Sequence, residues 1–301
     1  MSDSLIVSVI AAEGVTRIAD VVRKITRDFK SSGTVGTPIW LSPDRACDIP
    51  VSFASPELIE ILPHGFVHAG EGVDVNVLSP ANRRKKLLVA DMDSTIIGCE
   101  CLDELADMAH LKPQIAAITE QAMNGEIAFE PALRERVTLL KGLALTALER
   151  TYKERVKLNP GAKALVATMK KHGARTCLVS GGFTYFTERV AKDAAFDDNQ
   201  ANTLLDDGSR LTGAVKEPIL GREAKLSALK AEIDKLKITP EESLVVGDGA
   251  NDLSMIQYAG LGVAYHAKAI VAEAAGAAIK YGDLRALLYL QGYSDSEIVE
   301  A

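Results

Sequence analysis

The chain has 301 residues, 47% of them hydrophobic and 25% charged, a globular composition with ample core that excludes disordered and collagen-like classes. A formal net charge of −7 disfavours nucleic acid as a partner, because binding to its phosphates needs a basic face. No apolar run approaches the roughly 20 residues of a membrane span, and Met1 to Asp3 lacks the basic, apolar character of a leader, so no membrane partner and a cytoplasmic address are expected.

In chain order, Leu5 to Ala11 reads as a strand. Thr16 to Phe29 has the helical spacing of Ile18, Val21, Val22 and Ile25, and Pro38 to Leu41, Val51 to Phe53 and Val73 to Val77 read as further short strands. Residues 1–80 are therefore expected to form a small α/β unit, a sheet with helices packed on it. In pattern and size it resembles the ACT-type regulatory domains of amino-acid metabolism, with no motif in support. Ser79, Pro80 and Asn82 mark a boundary, and the basic run Arg83 to Lys86 reads as a solvated linker.

A second unit is expected over 85–301. Strands are predicted at Lys86 to Ala90, Arg175 to Val179, Ser243 to Val246 and Gly260 to Ala264, each followed by a helix, which implies a Rossmann-like α/β fold: a parallel sheet with helices on both faces. Cys99 to His172 shows no strand signal and reads as helical segments broken at Pro113, Pro131, Gly142 and Asn159-Pro160. Its middle, about 104–158, is a helical insertion placed to cap a site. Thr203 to Val215 carries Asp207-Gly208, a hairpin-turn dipeptide, between apolar residues. Cys47, Cys99, Cys101 and Cys177 lack zinc spacing and are expected as free thiols; the five histidines, His64, His68, His110, His172 and His266, read as surface or structural.

Chemistry concentrates where apolar strands end. Asp91-Met92-Asp93-Ser94-Thr95 directly follows one, and ligands of open parallel sheets sit at those carboxyl ends. An aspartate there can attack phosphorus, while a second acid two residues on can protonate the leaving alcohol and then deprotonate water. Gly247-Asp248-Gly249-Ala250-Asn251-Asp252 ends another strand; clustered carboxylates repel one another and a phosphate unless a cation neutralises them, and hard oxygen ligands favour magnesium. Leu178-Val179-Ser180-Gly181-Gly182-Phe183 is read as ending a third strand and opening a helix, where a small hydroxyl and free N–H groups make an anion site. Lys225 lies on a helix beginning near Gly221. Taken singly, each has a plain alternative: a helix cap, a structural turn, a solvated lysine.

Together, in this order, these motifs resemble the haloacid dehalogenase superfamily across roughly residues 85–290. The resemblance implies that Asp91 is nucleophile and magnesium ligand, and that Asp93 is acid/base and lends its main-chain carbonyl to the metal. It makes Asp248 the third protein ligand, has Asn251 and Asp252 orient that shell, and has Ser180, Gly181, Gly182 and Lys225 hold the phosphoryl group. Within the superfamily, the run from Asp91 to Glu100 and the helical insertion are similar to the phosphoserine phosphatases. That likeness implies Glu100 for the substrate ammonium, Arg136 for its carboxylate, and Met123 and Phe129 as apolar cover, with phosphoserine as the small-molecule partner. A phosphatase for another small phosphomonoester stays open as an alternative. So does a phospho-accepting signalling receiver, which lacks a second acid such as Asp93 and a helical cap. The sequence is compatible with a homodimer.

Overall fold

A computed structural model describes residues 4–30, 33–53, 65–68, 72–123 and 126–301. The first strand, β1 (Ser4–Ala11), is buried on both faces over Val7 to Ala11. One face, Val7, Val9 and Ala11, meets Ile18, Val22 and Ile25 of the helix Ile18–Phe29. The other turns Ile10 into the core that also holds Leu287, Tyr289 and Tyr293 from near the chain's end. The sheet is antiparallel, in the order β2 (Gly33–Val35), β4 (Ala46–Phe53), β1, β6 (Val73–Leu78), β5 (Gly65–His68), with β3 (Ile39–Ser42) also on β4. Among the described residues the helix Ile18–Phe29 covers one face, and residues near the chain's end pack on the other. The sequence reading caught only the end of β4, because Asp48 and Pro50 interrupt its apolar run, and it missed β2 and β5.

Two polar side chains of β6 join this sheet to the next. Asn76 donates through Nδ2 to Ala278 O at 3.1 Å and accepts Ala278 N–H on Oδ1 at 2.8 Å. Asp74 accepts the N–H groups of Lys280 (2.9 Å), Tyr281 (3.1 Å) and Gly282 (2.8 Å). Burial raises the carboxyl pKa of Asp74, and those three donors oppose the shift.

The second sheet runs β14 (Ala277–Ile279), β13 (Leu261–Tyr265), β12 (Ser243–Gly247), β7 (Leu87–Ala90), β8 (Arg175–Phe183), β9 (Asp198–Asn202), parallel throughout. Leu87 to Ala90 and Ser243 to Gly247 are wholly buried, as central strands covered on both faces must be. The fold class read from the sequence is the observed one. β8, however, runs on to Phe183 through a register shift after Val179, and the next helix, Thr184–Ala194, starts only beyond it. Ser180-Gly181-Gly182 therefore belongs to a bulged strand end and does not cap that helix.

Between β7 and β8 lie the helices Cys101–Met108, Lys112–Met123, Phe129–Leu139 and Leu145–Arg155, followed by Ala162–Lys171 against β8. Pro113 and Pro131 sit in first turns, where a missing N–H costs nothing, so they start helices. The hairpin is present: β10 (Leu204–Asp206) and β11 (Leu211–Val215) pair, with Gly208 at φ 92° in the turn. Its tip reaches the insertion, where Gly142 N–H donates to Leu211 O, Leu211 N–H to Leu143 O and Leu145 N–H to Ser209 O, at 2.8–2.9 Å. Among the described residues no helix is long and apolar enough to cross a membrane. All four cysteines are free thiols.

Candidate active site

β7 and β12 end side by side, Ala90 paired with Val246, and the Asp91 N–H extends the ladder to Val246 O. Asp91 and Asp248 thereby come out of neighbouring strand ends. Oxygen atoms of Asp91, Asp248 and Asp252 lie within 4.8 Å of one another. Lys225, 1% exposed on the helix Arg222–Leu236, reaches into the group and binds Asp91 Oδ1 at 2.8 Å and Asp252 Oδ1 at 2.7 Å. Burial alone strips a lysine of its proton, but Asp252 and Asp91 outweigh it and hold the ammonium pKa above its usual value. Met92 N–H also donates to Asp91 Oδ1, at 2.8 Å, so Oδ2 carries neither contact.

Burial, then Asp252, raises the carboxyl pKa of Asp91 well above the usual range. Burial and Asp252 push Asp248 to about 6, against the opposing Thr95 hydroxyl, which donates to Asp248 Oδ1 at 3.2 Å. Three carboxylates thus face one ammonium, an excess of two negative charges that a single divalent cation cancels. The donors are all hard oxygens, so the residues fit magnesium.

Asp93 points elsewhere. Its Oδ1 accepts Cys101 N–H at 2.9 Å and its Oδ2 the Ser180 hydroxyl at 3.2 Å. Burial raises its pKa, opposed by Cys101 and Ser180. Ser180 Oγ in turn accepts Gly182 N–H at 2.8 Å. A Cβ at Gly182 would stand 2.7 Å from Asp93 Oδ2, and one at Gly247 2.5 Å from Asp252, so both close approaches require glycine. Asn251 lies in the loop between Asp248 and Asp252, its Oδ1 turned to Gly249.

The side chains assigned to substrate reading are split between mouth and cap. Ser94, at φ 54°, donates its hydroxyl to Glu100 Oε1 at 2.6 Å. Glu100 is open to solvent at its own surface yet walled by protein, and burial, then Asp93, pushes its carboxyl to about 7. Arg136, on Phe129–Leu139, donates to Ala132 O and, at 3.4 Å, to Thr119 Oγ1. Burial lowers its pKa, while Asp103 and Glu100 oppose that, which puts Arg136 within electrostatic reach of Glu100. The Phe129 ring lies across two glycines: Cβ atoms built on Gly181 and Gly221 would sit 3.4 and 3.3 Å from it. Met123 ends its helix, and its side chain lies outside the described residues.

The structure thus gathers Asp91, Asp93, Ser180, Lys225, Asp248 and Asp252 at one strand-end crevice, with Phe129 on its wall. It adds Ser94 and Thr95, which lay inside the first motif but had no assigned contacts, and Asn202, which no local signal marked.

Comparison with known proteins bears on this geometry. The haloacid dehalogenase-like hydrolase family model matches residues 88–257. A phosphoserine phosphatase of Polaromonas sp. is 45% identical over 226 residues, 73% of this chain and 96% of that one. In fold, the chain is similar to a HAD family hydrolase of Salmonella enterica serovar Typhi (TM-score 0.85, 27% identity, 97% of this chain and 99% of that one). It is also similar to a phosphoserine phosphatase solved as a phospho-aspartyl intermediate analogue (TM-score 0.64, 37% identity, 68% and 98%). With a family model spanning more than half of its length and a relative matched over nearly all of that relative's own, the chain belongs to the haloacid dehalogenase-like hydrolases, in their phosphoserine phosphatase branch.

Proposed function

We propose that this site hydrolyses O-phospho-L-serine to serine and phosphate through a phosphorylated Asp91. The observation that carries the reading is the join of two arrangements: a buried Asp91–Lys225–Asp252 cluster beside Asp93 and Ser180, and a carboxylate at its mouth, Glu100, within electrostatic reach of a guanidinium on the cap, Arg136. In the first step an Asp91 oxygen bonds to phosphorus while the P–O(serine) bond breaks. Asp93, whose carboxyl pKa burial raises, gives its proton to the departing serine oxygen. In the second step Asp93 takes a proton from water, whose oxygen attacks phosphorus and returns the Asp91 carboxylate. Ser180 and Lys225 grip the phosphoryl oxygens, and phosphoryl transfer is mostly such positioning and neutralisation. Asp91, Asp248 and the Asp93 carbonyl would hold magnesium, which supplies neutralisation of the phosphoryl charge, with Asn251 and Asp252 orienting them.

The labour divides between a phosphatase unit over 85–301, capped by about 104–158, and a unit over 1–80 that contributes none of the residues just named. Four free thiols agree with a reducing, cytoplasmic setting.

A substrate panel with and without magnesium tests the assignment. Phosphoserine is expected to lead sugar phosphates in kcat/KM, and chelation to remove activity that magnesium restores. A preference for sugar phosphates, or full activity in verified absence of metal, contradicts it.

The raised Glu100 pKa adds a pH signature. The group pairs with an ammonium only when ionised, so its contribution is present above about 7 and fades as pH falls through that value. The ratio of kcat/KM for phosphoserine to that for an aryl phosphate, which lacks the ammonium, is expected to climb through this range. Dividing by the aryl rate cancels titration of the shared carboxylates. Glu100→Gln is expected to flatten the ratio, and a flat ratio in the unmodified protein refutes the role.

A further inference from the structure

Asn202 ends β9 and is 2% exposed. Its Nδ2 donates to Gly181 O at 2.8 Å and to Leu220 O at 3.1 Å, and its Oδ1 accepts Leu220 N–H at 2.6 Å. A side-chain amide has two donor hydrogens and an acceptor oxygen, so this one is satisfied at both ends. What it joins is informative. Gly181 is the middle of Ser180–Gly182, the bulge that loops out at the end of β8. Leu220 immediately precedes Gly221, which caps the helix of Lys225 and accepts Lys225 N–H at 3.1 Å.

Two further seams follow the same line. The Phe129 ring bridges Gly181 and Gly221 from the cap side. At the base of the hairpin, Lys216 N–H donates to Thr203 O at 2.9 Å, closing the neck of the hairpin whose tip holds the insertion at Gly142, Leu143 and Leu145. Asn202 stands at that neck.

We infer that Asn202 is a positioning residue that fixes the Ser180 loop relative to the Lys225 helix without itself touching substrate. The inference rests on the proposed phosphoryl grip of Ser180 and Lys225. Those two groups come from segments that share no backbone ladder at this point, and the Asn202 amide links the loop of one to the turn that starts the other. A side chain that merely filled a polar hole would affect stability and leave oxyanion affinity alone.

Orthovanadate, a phosphate-like oxyanion, separates the two roles. In magnesium, Asn202→Asp keeps the acceptor for Leu220 N–H but sets an oxygen against the carbonyls of Gly181 and Leu220. It is expected to weaken vanadate inhibition roughly tenfold to a hundredfold. Because the grip reads the phosphoryl group and not serine, kcat/KM for phosphoserine and for an aryl phosphate should fall by similar factors. A second variant, Asn202→Ser, retains one small hydroxyl and is expected to lose about threefold to thirtyfold. It decides the question alone if the aspartate variant does not fold. Vanadate affinity unchanged in a folded variant, whatever its melting temperature, overturns the inference. An unmodified chain that binds vanadate yet ignores phosphoserine overturns the substrate assignment instead, leaving the Asn202 comparison readable.

Discussion

Asp91→Asn is expected to yield a folded protein without measurable turnover. The exchange is nearly isosteric, and a neutral amide oxygen can still accept the Lys225 and Met92 donors that now meet Asp91 Oδ1. It also relieves repulsion from Asp252, the second cause of the raised pKa of Asp91, so stability is expected to hold or rise. What disappears is the proposed nucleophile, and no positioning by Ser180 or Lys225 replaces the bond it would form. Circular dichroism and a melting curve establish folding, and mass spectrometry of acid-quenched enzyme looks for the phosphorylated residue. Near-normal rates in the folded variant, or label on another residue, sink the mechanism.

Arg136→Ala is expected to lower kcat/KM for phosphoserine by roughly 30- to 5000-fold. Removing one partner of a desolvated, hydrogen-bonded charge pair typically costs about 2–5 kcal/mol, and each 1.4 kcal/mol is about tenfold. Arg136 is well placed for this cost: its guanidinium is partly buried, held by Ala132 O and Thr119 Oγ1, and lies in the field of Glu100 and Asp103. An aryl phosphate has no carboxylate, so its hydrolysis is expected to fall far less. Equal losses on both esters would reject the role of Arg136 and point to a disturbed cap. The pair Glu100–Arg136 also makes the test directional, because loss of one should alter the pH ratio described above and loss of the other its magnitude.

The strand ends at the site were legible because burial leaves a plain trace: Leu87 to Ala90 is an uninterrupted apolar run that stops at Asp91, and Leu244 to Val246 one that stops a glycine short of Asp248. Edge strands were not. β9 reads Asp-Asn-Gln-Ala-Asn, which no hydrophobic period betrays, and β14 is three residues long. Ser180-Gly181-Gly182 looked like a helix start because serine and glycine carry that local preference, whereas here the serine hydroxyl serves Asp93 and Gly182 in a bulged strand. Lys225 has the spacing of any surface lysine. Its burial is tolerated only because two acids from distant segments meet it, and chain position does not disclose that. Asn202 was invisible for the same reason, its partners lying 18 and 21 residues away.

The Asn76 amide, which exchanges both of its hydrogen bonds with the peptide groups of Ala278, acts as a one-residue strand laid against the outer edge of β14. Open strand edges invite pairing with other chains, and natural sheets hide them. Here the concealment comes from a side chain of the first sheet, reinforced by the three N–H groups that Asp74 ties down just beyond β14. Asp74 and Asn76 of the first sheet thus cover the outer edge of β14, where open pairing would otherwise be available. A chain without the first sheet would lose that cover and leave the edge bare.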